Sequence, residues 1–507
     1  MNRHRYLATA IGAVVLLGGT CPDSVAADVA VPTGPAPGQA PPASTQYYTV
    51  MLSGKKIGHA VSRFNVVKGR AVSDMDLVLV LRRGQLALEV KVAERAGETL
   101  DGKPLNFVHD VKTSMMGQTV AGRIDKAGTL HVTTTAAGGK RTKKIPWPKG
   151  AILDYGRHLV TLARGLKAGT TYTIRSFDPD ALAARDMKVT VGRRGKVDLL
   201  GRTVMLTEVR SEVSVGSASM TVTEYVDADG RALKTVMSLM GMTLELIACG
   251  KRVALADNDA LNMFDRVLLA SPVAMDKLLG KPGVSYVIAP TEAGAKLVFP
   301  ATDNQEVTSL PGGRVRVTVA PVAIPNSAAM PYRGADARAV AALKRSRFVQ
   351  SDNARVAALA AKAVGRTTNA AEAARKIASF VNRYIAKKNL SVGYATAAEV
   401  AETRQGDCTE HAVLAAAMCR AVGIPARVVT GMAYVGRFAG RRNVFGPHAW
   451  NEVYLGGKWI GLDATLGRFD AGHIALAHGD GNSDGLFALV NTLGCFKIVS
   501  AEPRDNR

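Results

Sequence analysis

Long apolar runs are missing after residue 27. No later segment approaches the roughly 18 uninterrupted apolar residues that a membrane-crossing helix needs, so the mature chain is expected to be soluble or peripheral. Aromatic residues are scarce at 5%, and no run of five or more Lys and Arg occurs. A basic stripe interleaved with stacking platforms is therefore absent, and with it a nucleic-acid partner. No CxxC pair and no Cys/His cluster has zinc spacing, which argues against a structural metal. Neither the 50 Gly nor the 21 Pro recur with a period, so collagen-like and coiled-coil readings fall away.

The 507 residues carry 65 Lys plus Arg against 42 Asp plus Glu, a net charge of +23. Residues 346–507 hold only +7 of it, so the excess sits on the N-terminal part and reads as a solvated basic surface. At 47% hydrophobic the chain is globular, and its length predicts two to four domains.

Arg3, His4 and Arg5, an apolar stretch from Tyr6 to Gly19, and Val25-Ala26-Ala27 before Asp28 read as an export signal over 1–27. Export to the periplasm or the exterior follows. A lipid anchor at Cys21 is the poorer reading, because Gly18-Gly19-Thr20 matches a lipoprotein cleavage motif badly. The four remaining cysteines, Cys249, Cys408, Cys419 and Cys495, permit disulfides without requiring them. Cys408 and Cys419 share one predicted helix, where eleven residues rise about 16 Å, beyond disulfide reach.

Residues 28–46 are a Pro/Ala-rich linker. From 47 to 250 the pattern is that of an antiparallel β-rich domain: Met75, Leu77, Leu79 and Leu81 alternate, Leu86 to Val92 alternate again, and Asp229-Gly230 marks a hairpin. One helix is expected from Ile152 to Leu166. A smaller β-rich region spans 251–345, with a short helical segment near 257–270 and strands in VSYVIAP, AKLVFPA and RVRVTVAPV. After 346 the period becomes helical; Ser351-Asp352 and Thr368-Asn369 with Glu372 are candidate caps, the second helix running to about Lys387. The fold class is α+β.

Cys408 opens an Ala-rich helix that should stop at Gly423. A helix N-terminus stabilises a thiolate, so this cysteine is expected to have a lowered pKa and to act as a nucleophile. HAWNEVYL (448–455) and KWIGLDAT (458–465) are joined by Gly456-Gly457, a two-residue hairpin turn. In that register Tyr454 faces Trp459, and His448, Trp450, Asp463 and Thr465 project to one side. His448 and Asp463 become diagonal neighbours, and a Cys, His, Asp triad follows.

GDCTEHAVLAAAMCRAVGIPARVVTG followed by PHAWNEVYLGGKWIGLDAT resembles the transglutaminase-like superfamily, papain-like thiol enzymes with Cys, His and Asp in that chain order. The resemblance implies that 346–507 is a domain of this kind, with Cys408 as nucleophile, His448 as general acid and base, and Asp463 orienting the ring. It also implies an oxyanion donor upstream of the nucleophile, for which Gln405 is the candidate. Trp450 is expected to shield the imidazole, Cys419 to pack, His411 to lie on the helix surface or be structural, and His473 and His478 to be loop residues. Asp480 to Gly485 has the opening of a calcium loop, but Asn491 stands where a bidentate Glu is required, so a Gly-rich turn is expected. The reading is an exported enzyme without cofactor or metal, acting on amide bonds of a protein or peptide in the envelope, by hydrolysis rather than transfer. A catalytically silent binding or scaffold protein is the alternative.

Overall fold

The computed structural model describes residues 42–504, apart from 84–85, 114–116, 137–138, 216–217, 240, 260–266, 292–296, 389–394, 439 and 480–491. The export signal, Cys21, most of the linker and the calcium-like loop lie outside the described residues. The chain divides into two compact units, 1–261 and 262–507.

The first unit is one antiparallel sheet of fourteen strands, β1–β14, between Ser44 and Cys249. Strands β1 to β8 pair in sequence order, β9 to β14 do the same, and β1 pairs with β14. The alternation read from the sequence has its cause here: Met75, Leu77, Leu79 and Leu81 on one strand, and Val90 and Val92 on the next, are buried between exposed or half-buried neighbours. At the expected hairpin the Asp227 carboxylate accepts the N–H groups of Asp229 and Arg231 and holds the turn.

A single helix, α1 (Asp154–Arg164), joins the two halves of this sheet. Every residue from Asp154 to Thr161 is buried. A helix lying on a flat sheet would keep one face in water, so the sheet must curve around this one. Tyr155 stacks on Phe64 with 5.4 Å between ring centroids, and Ile152 and Val160 pack with Tyr172, Ile174 and Val189. Leu153, at the N-cap, offers no side-chain acceptor. The fully buried Glu98 replaces it, accepting the N–H groups of Tyr155 at 2.6 Å and Gly156 at 2.9 Å.

Burial raises the Glu98 carboxyl to about 8 despite those two hydrogen bonds. A carboxyl whose folded pKa lies above its unfolded value binds its proton more tightly in the folded state, so stability falls as pH rises. The transition in which the first unit melts is expected to move to lower temperature between pH 4.5 and pH 8, and Glu98→Gln should flatten that slope. An unchanged slope in the variant, read by calorimetry, would reject Glu98 as its source.

Helix α2 (Lys251–Ala254) follows β14. Of the helical segment expected near 257–270, residues 257–259 have no regular structure, 260–266 lie outside the described residues, Val267 is helical, and Leu269–Ala270 form strand β15.

In the second unit β16 (Val284–Pro290), β17 (Gln305–Ser309), β18 (Val315–Val319) and β25 (Phe496–Pro503) form a four-stranded sheet in the order β17-β18-β16-β25. The strand expected in AKLVFPA does not form over its described residues, 297–300. Phe299 instead inserts edge-on against Phe496, and the Pro300 carbonyl accepts from the Gln305 amide. Phe299 alone is buried, while Val298 stands exposed.

Between β18 and Ala426 the described residues form five helices: α3 (Ala337–Ala341), α4 (Ala354–Val364), α5 (Ala370–Tyr384), α6 (Ala397–Thr403) and α7 (Cys408–Ala421). The cap of α4 is Asn353, not Ser351-Asp352; its side chain accepts from Arg355 and Val356, while Asp352 pairs with Arg345. Asn369 caps α5, which ends at Tyr384 because Lys387–Lys388 leave as the short strand β19. β19 pairs in parallel with β20 (Gln405–Gly406). The second sheet runs β15-β22-β21-β24, with β23 on β22. Its strands are β21 (Ala426–Phe438), β22 (Arg441–Leu455), β23 (Lys458–Leu462) and β24 (His473–Gly479). Helix α7 is buried from Glu410 to Arg420, which is why its Ala-rich sequence shows no polar face. Among the described residues no helix is long and apolar enough to cross a membrane.

Candidate active site

Gly406 fixes the approach to α7. Its φ is 149°, and a Cβ there would lie 2.3 Å from the Glu410 side chain, so the position admits glycine alone. Asp407 then caps the helix, accepting the Thr409 N–H at 2.9 Å, while Glu410 reaches back to the Asp407 N–H at 2.9 Å. This reciprocal box sets Cys408 as the first helical residue.

The Cys408 thiol lies beside the backbone N–H of Ala449, the residue after His448, which favours its anion. Other influences oppose the anion more strongly. Burial pushes the thiol well above its ordinary range, the Asp407 carboxylate adds to this, and Glu410 and Asp463 contribute in the same direction. The lowered pKa expected from the helix terminus is therefore corrected: the terminal N–H groups that would have stabilised a thiolate are occupied by the Asp407 side chain. Cys408 rests as a thiol.

The hairpin register is as the sequence implies, with Tyr454 opposite Trp459 and Asn451 opposite Leu462. β23 nevertheless stops at Leu462, and Asp463 begins a turn rather than continuing the strand. The turn forms because Asp463 Oδ1 accepts the N–H groups of Thr465 at 2.6 Å and Leu466 at 2.9 Å. Asn382 of α5 fastens the same turn through the carbonyls of Ala464 and Thr465. The other oxygen, Oδ2, lies 2.7 Å from His448 Nε2. Burial opposes ionisation of Asp463, yet hydrogen bonds from His448 and His473 and the charges behind them hold its carboxyl well below the usual range. With Nε2 engaged, Nδ1 is the His448 nitrogen left for the thiol.

Trp450 is buried, and its ring lies near-parallel to His448, 22° apart with 6.1 Å between centroids. Asn451 ties the strand to α7 by donating to the Ala412 carbonyl at 2.8 Å. Gln405 sits half-buried on β20, three residues before Cys408. His411 is fully buried rather than on the helix surface; its Nδ1–H donates to the Asp407 carbonyl at 2.6 Å. Cys419 is buried, and burial raises its thiol to about 12, as befits a packing residue.

His473 and His478 are not loop residues. Both stand on β24, opposite Ala433 and Val429 of β21. His473 is 3% exposed, and its Nε2 lies 3.1 Å from the same Asp463 oxygen that His448 uses. Spacing from Asp463 gave no hint of this contact, which depends on β24 crossing back onto β21. The ligating atoms of His448, Asp463 and His473 lie within 4.8 Å of one another and could hold a metal ion, but Asp463 Oδ2 already serves both imidazoles. A cavity of about 430 Å³ reaches Asp463 from the other side, with Arg375, Arg383, Arg468 and Phe469 in its wall.

A helix-borne thiol, a strand-borne imidazole and a carboxylate in the next turn are the three kinds of group that nucleophilic catalysis by sulfur uses. Residues 333–464 match the family model of the transglutaminase-like superfamily, so this part of the α+β chain is transglutaminase-like. No curated protein matches the sequence. Among solved structures the chain is similar to a putative cysteine protease from Cytophaga hutchinsonii, at 22% identity over 46% of this chain and 84% of that one, with a TM-score of 0.30. It is also similar to the periplasmic domain of TgpA from Pseudomonas aeruginosa bound to ethylmercury, at 21% identity over 37% and 73%, TM-score 0.27. A third likeness is to a β-barrel-like protein of a domain of unknown function from Brucella abortus, at 14% identity over 40% and 95%, TM-score 0.33.

Proposed function

We propose that the protein is an exported thiol enzyme that cleaves amide bonds of a peptide or protein through an acyl-enzyme on Cys408. The observation that carries this reading is the 2.7 Å hydrogen bond from His448 Nε2 to Asp463, on a ring whose neighbour in the chain, Ala449, offers its N–H to the Cys408 sulfur. His448 Nδ1 takes the thiol proton as the sulfur bonds to the carbonyl carbon. The C–N bond then breaks, and His448 returns the proton to the departing amine. Water repeats the sequence, giving the free acid and restoring the thiol. In this reading the Cys408 backbone N–H receives the oxyanion, with Gln405, three residues upstream, as the candidate second donor.

Water is abundant outside the cytoplasm, whereas transfer to an amine needs a channel that excludes it, so hydrolysis is the favoured outcome. In this reading residues 1–27 are removed to leave Asp28 at the N-terminus, and the basic first part faces an anionic envelope. Selective labelling of Cys408 by a thiol electrophile, together with release of free acid from a peptide library, tests the enzyme. Incorporation of a labelled primary amine faster than acid release would reassign it to transfer. Intact mass of the secreted protein tests the processing, and a lipidated start at Cys21 would replace it.

A further inference from the structure

The Asp463 carboxylate has four donors for its roughly four lone-pair sites: the N–H groups of Thr465 and Leu466 on Oδ1, and His448 and His473 on Oδ2. Three of these suffice for a triad. The fourth, His473, is held at its far side by Asp470, whose Oδ1 and backbone carbonyl each lie 3.1 Å from Nδ1. The Asp470 N–H is a more distant neighbour of the same nitrogen at 3.3 Å. A carboxylate oxygen stands at each ring nitrogen, and the two oxygens at Nδ1 lie nearer than the Asp470 N–H that also points at it, so the ring is placed to donate from both nitrogens, as an imidazolium does.

Resting on the thiol-enzyme reading above, we propose that His473 is a positioning residue of the catalytic relay: clamped by Asp470, it fixes the Asp463 carboxylate and places a permanent cation behind it. The ring centroids of His473 and His448 are 5.9 Å apart, close enough for that cation to act on His448 and, through it, on Cys408.

The charges facing His473 are few. Asp463 stands beyond β23, and Asp470 is itself paired with Arg468. Trp450 and Phe469 close the remaining sides, and Tyr286 donates to the Ala471 carbonyl next to Asp470. Burial disfavours an imidazolium here, but hydrogen bonds and charge from Asp463 and then Asp470 outweigh it and raise His473 to about 9. A packing histidine would need neither carboxylate. The cation tempers Asp463: a carboxylate shared between two rings holds His448 less tightly, so the proton taken from Cys408 is more readily passed on to the leaving amine.

The effect has a sign. Removing a cation near two titrating groups makes each keep its proton to higher pH. The experiment follows the rate of Cys408 carbamidomethylation by iodoacetamide against pH, by mass spectrometry of the full chain, in the parent and in His473→Gln. The midpoint of reactivity is expected to rise by about one pH unit in the variant, the scale of one partly screened charge at this distance. An unshifted midpoint in a variant with the parent's circular dichroism would overturn the proposal. A parent in which Cys408 reacts no faster than Cys249 at any pH would instead sink the thiol-enzyme reading. Should the variant fail to fold, nitrogen NMR of the parent decides: two protonated imidazole nitrogens on His473 at pH 7.5 are expected, and a neutral ring would refute the cation.

Discussion

Cys408→Ala is expected to leave a folded protein whose amide-cleaving activity falls by on the order of 10⁴-fold or more, because the covalent intermediate has no other sulfur to form on. The side chain is small and sits at the first position of α7, where the Asp407 and Glu410 box supplies the capping hydrogen bonds without it. Melting temperature should therefore move little. Turnover of a peptide substrate at undiminished rate in the alanine variant would remove the covalent mechanism, and a large drop in melting temperature would show that Cys408 is a structural residue.

The second large effect separates His448 from Asp463. His448→Ala removes the imidazole that the proposed mechanism uses to take the thiol proton, and activity should fall as far as in Cys408→Ala, the two losses not adding in the double variant. Asp463→Asn retains an oxygen for one donor but turns an N–H₂ toward others, so it breaks the four-donor arrangement and stabilises a protonated His448 poorly. A loss of about 10²–10⁴-fold in kcat, with KM little changed, is expected. Steady-state kinetics of the three variants gives the order. An Asp463→Asn enzyme as active as the parent would mean that the turn at 463–466, and not the charge, is what the site requires.

Much of what places these residues is local, and local placement is legible. Asp407, one residue before Cys408, and Glu410, two after it, mark a helix start, and Gly456-Gly457 sets a register that puts Tyr454 opposite Trp459. What the sequence conceals is non-local. His473 reaches Asp463 only because β24 pairs with β21, whose partner on the other side is β22, and no spacing along the chain encodes that return. The protonation of Cys408 is concealed for a related reason: the helix terminus is visible in the sequence, but the burial that outweighs it is not. AKLVFPA shows the remaining limit, since apolar content alone does not tell a strand from a plug such as Phe299.

The pairing of β1 with β14 bears on how the first unit is made. Tyr47 stands opposite Cys249, about two hundred residues away along the chain, whereas each other ladder of the sheet joins strands that are neighbours in sequence. Hairpins close within microseconds and at little entropic cost, while an encounter between such distant segments must wait for most of the intervening chain to be shortened by structure already formed. The seam between the first and last strands is thus the late event in folding. Until it closes, the first and last strands present open edges on which another chain could pair, so the interval before closure is when this unit is most exposed to aggregation.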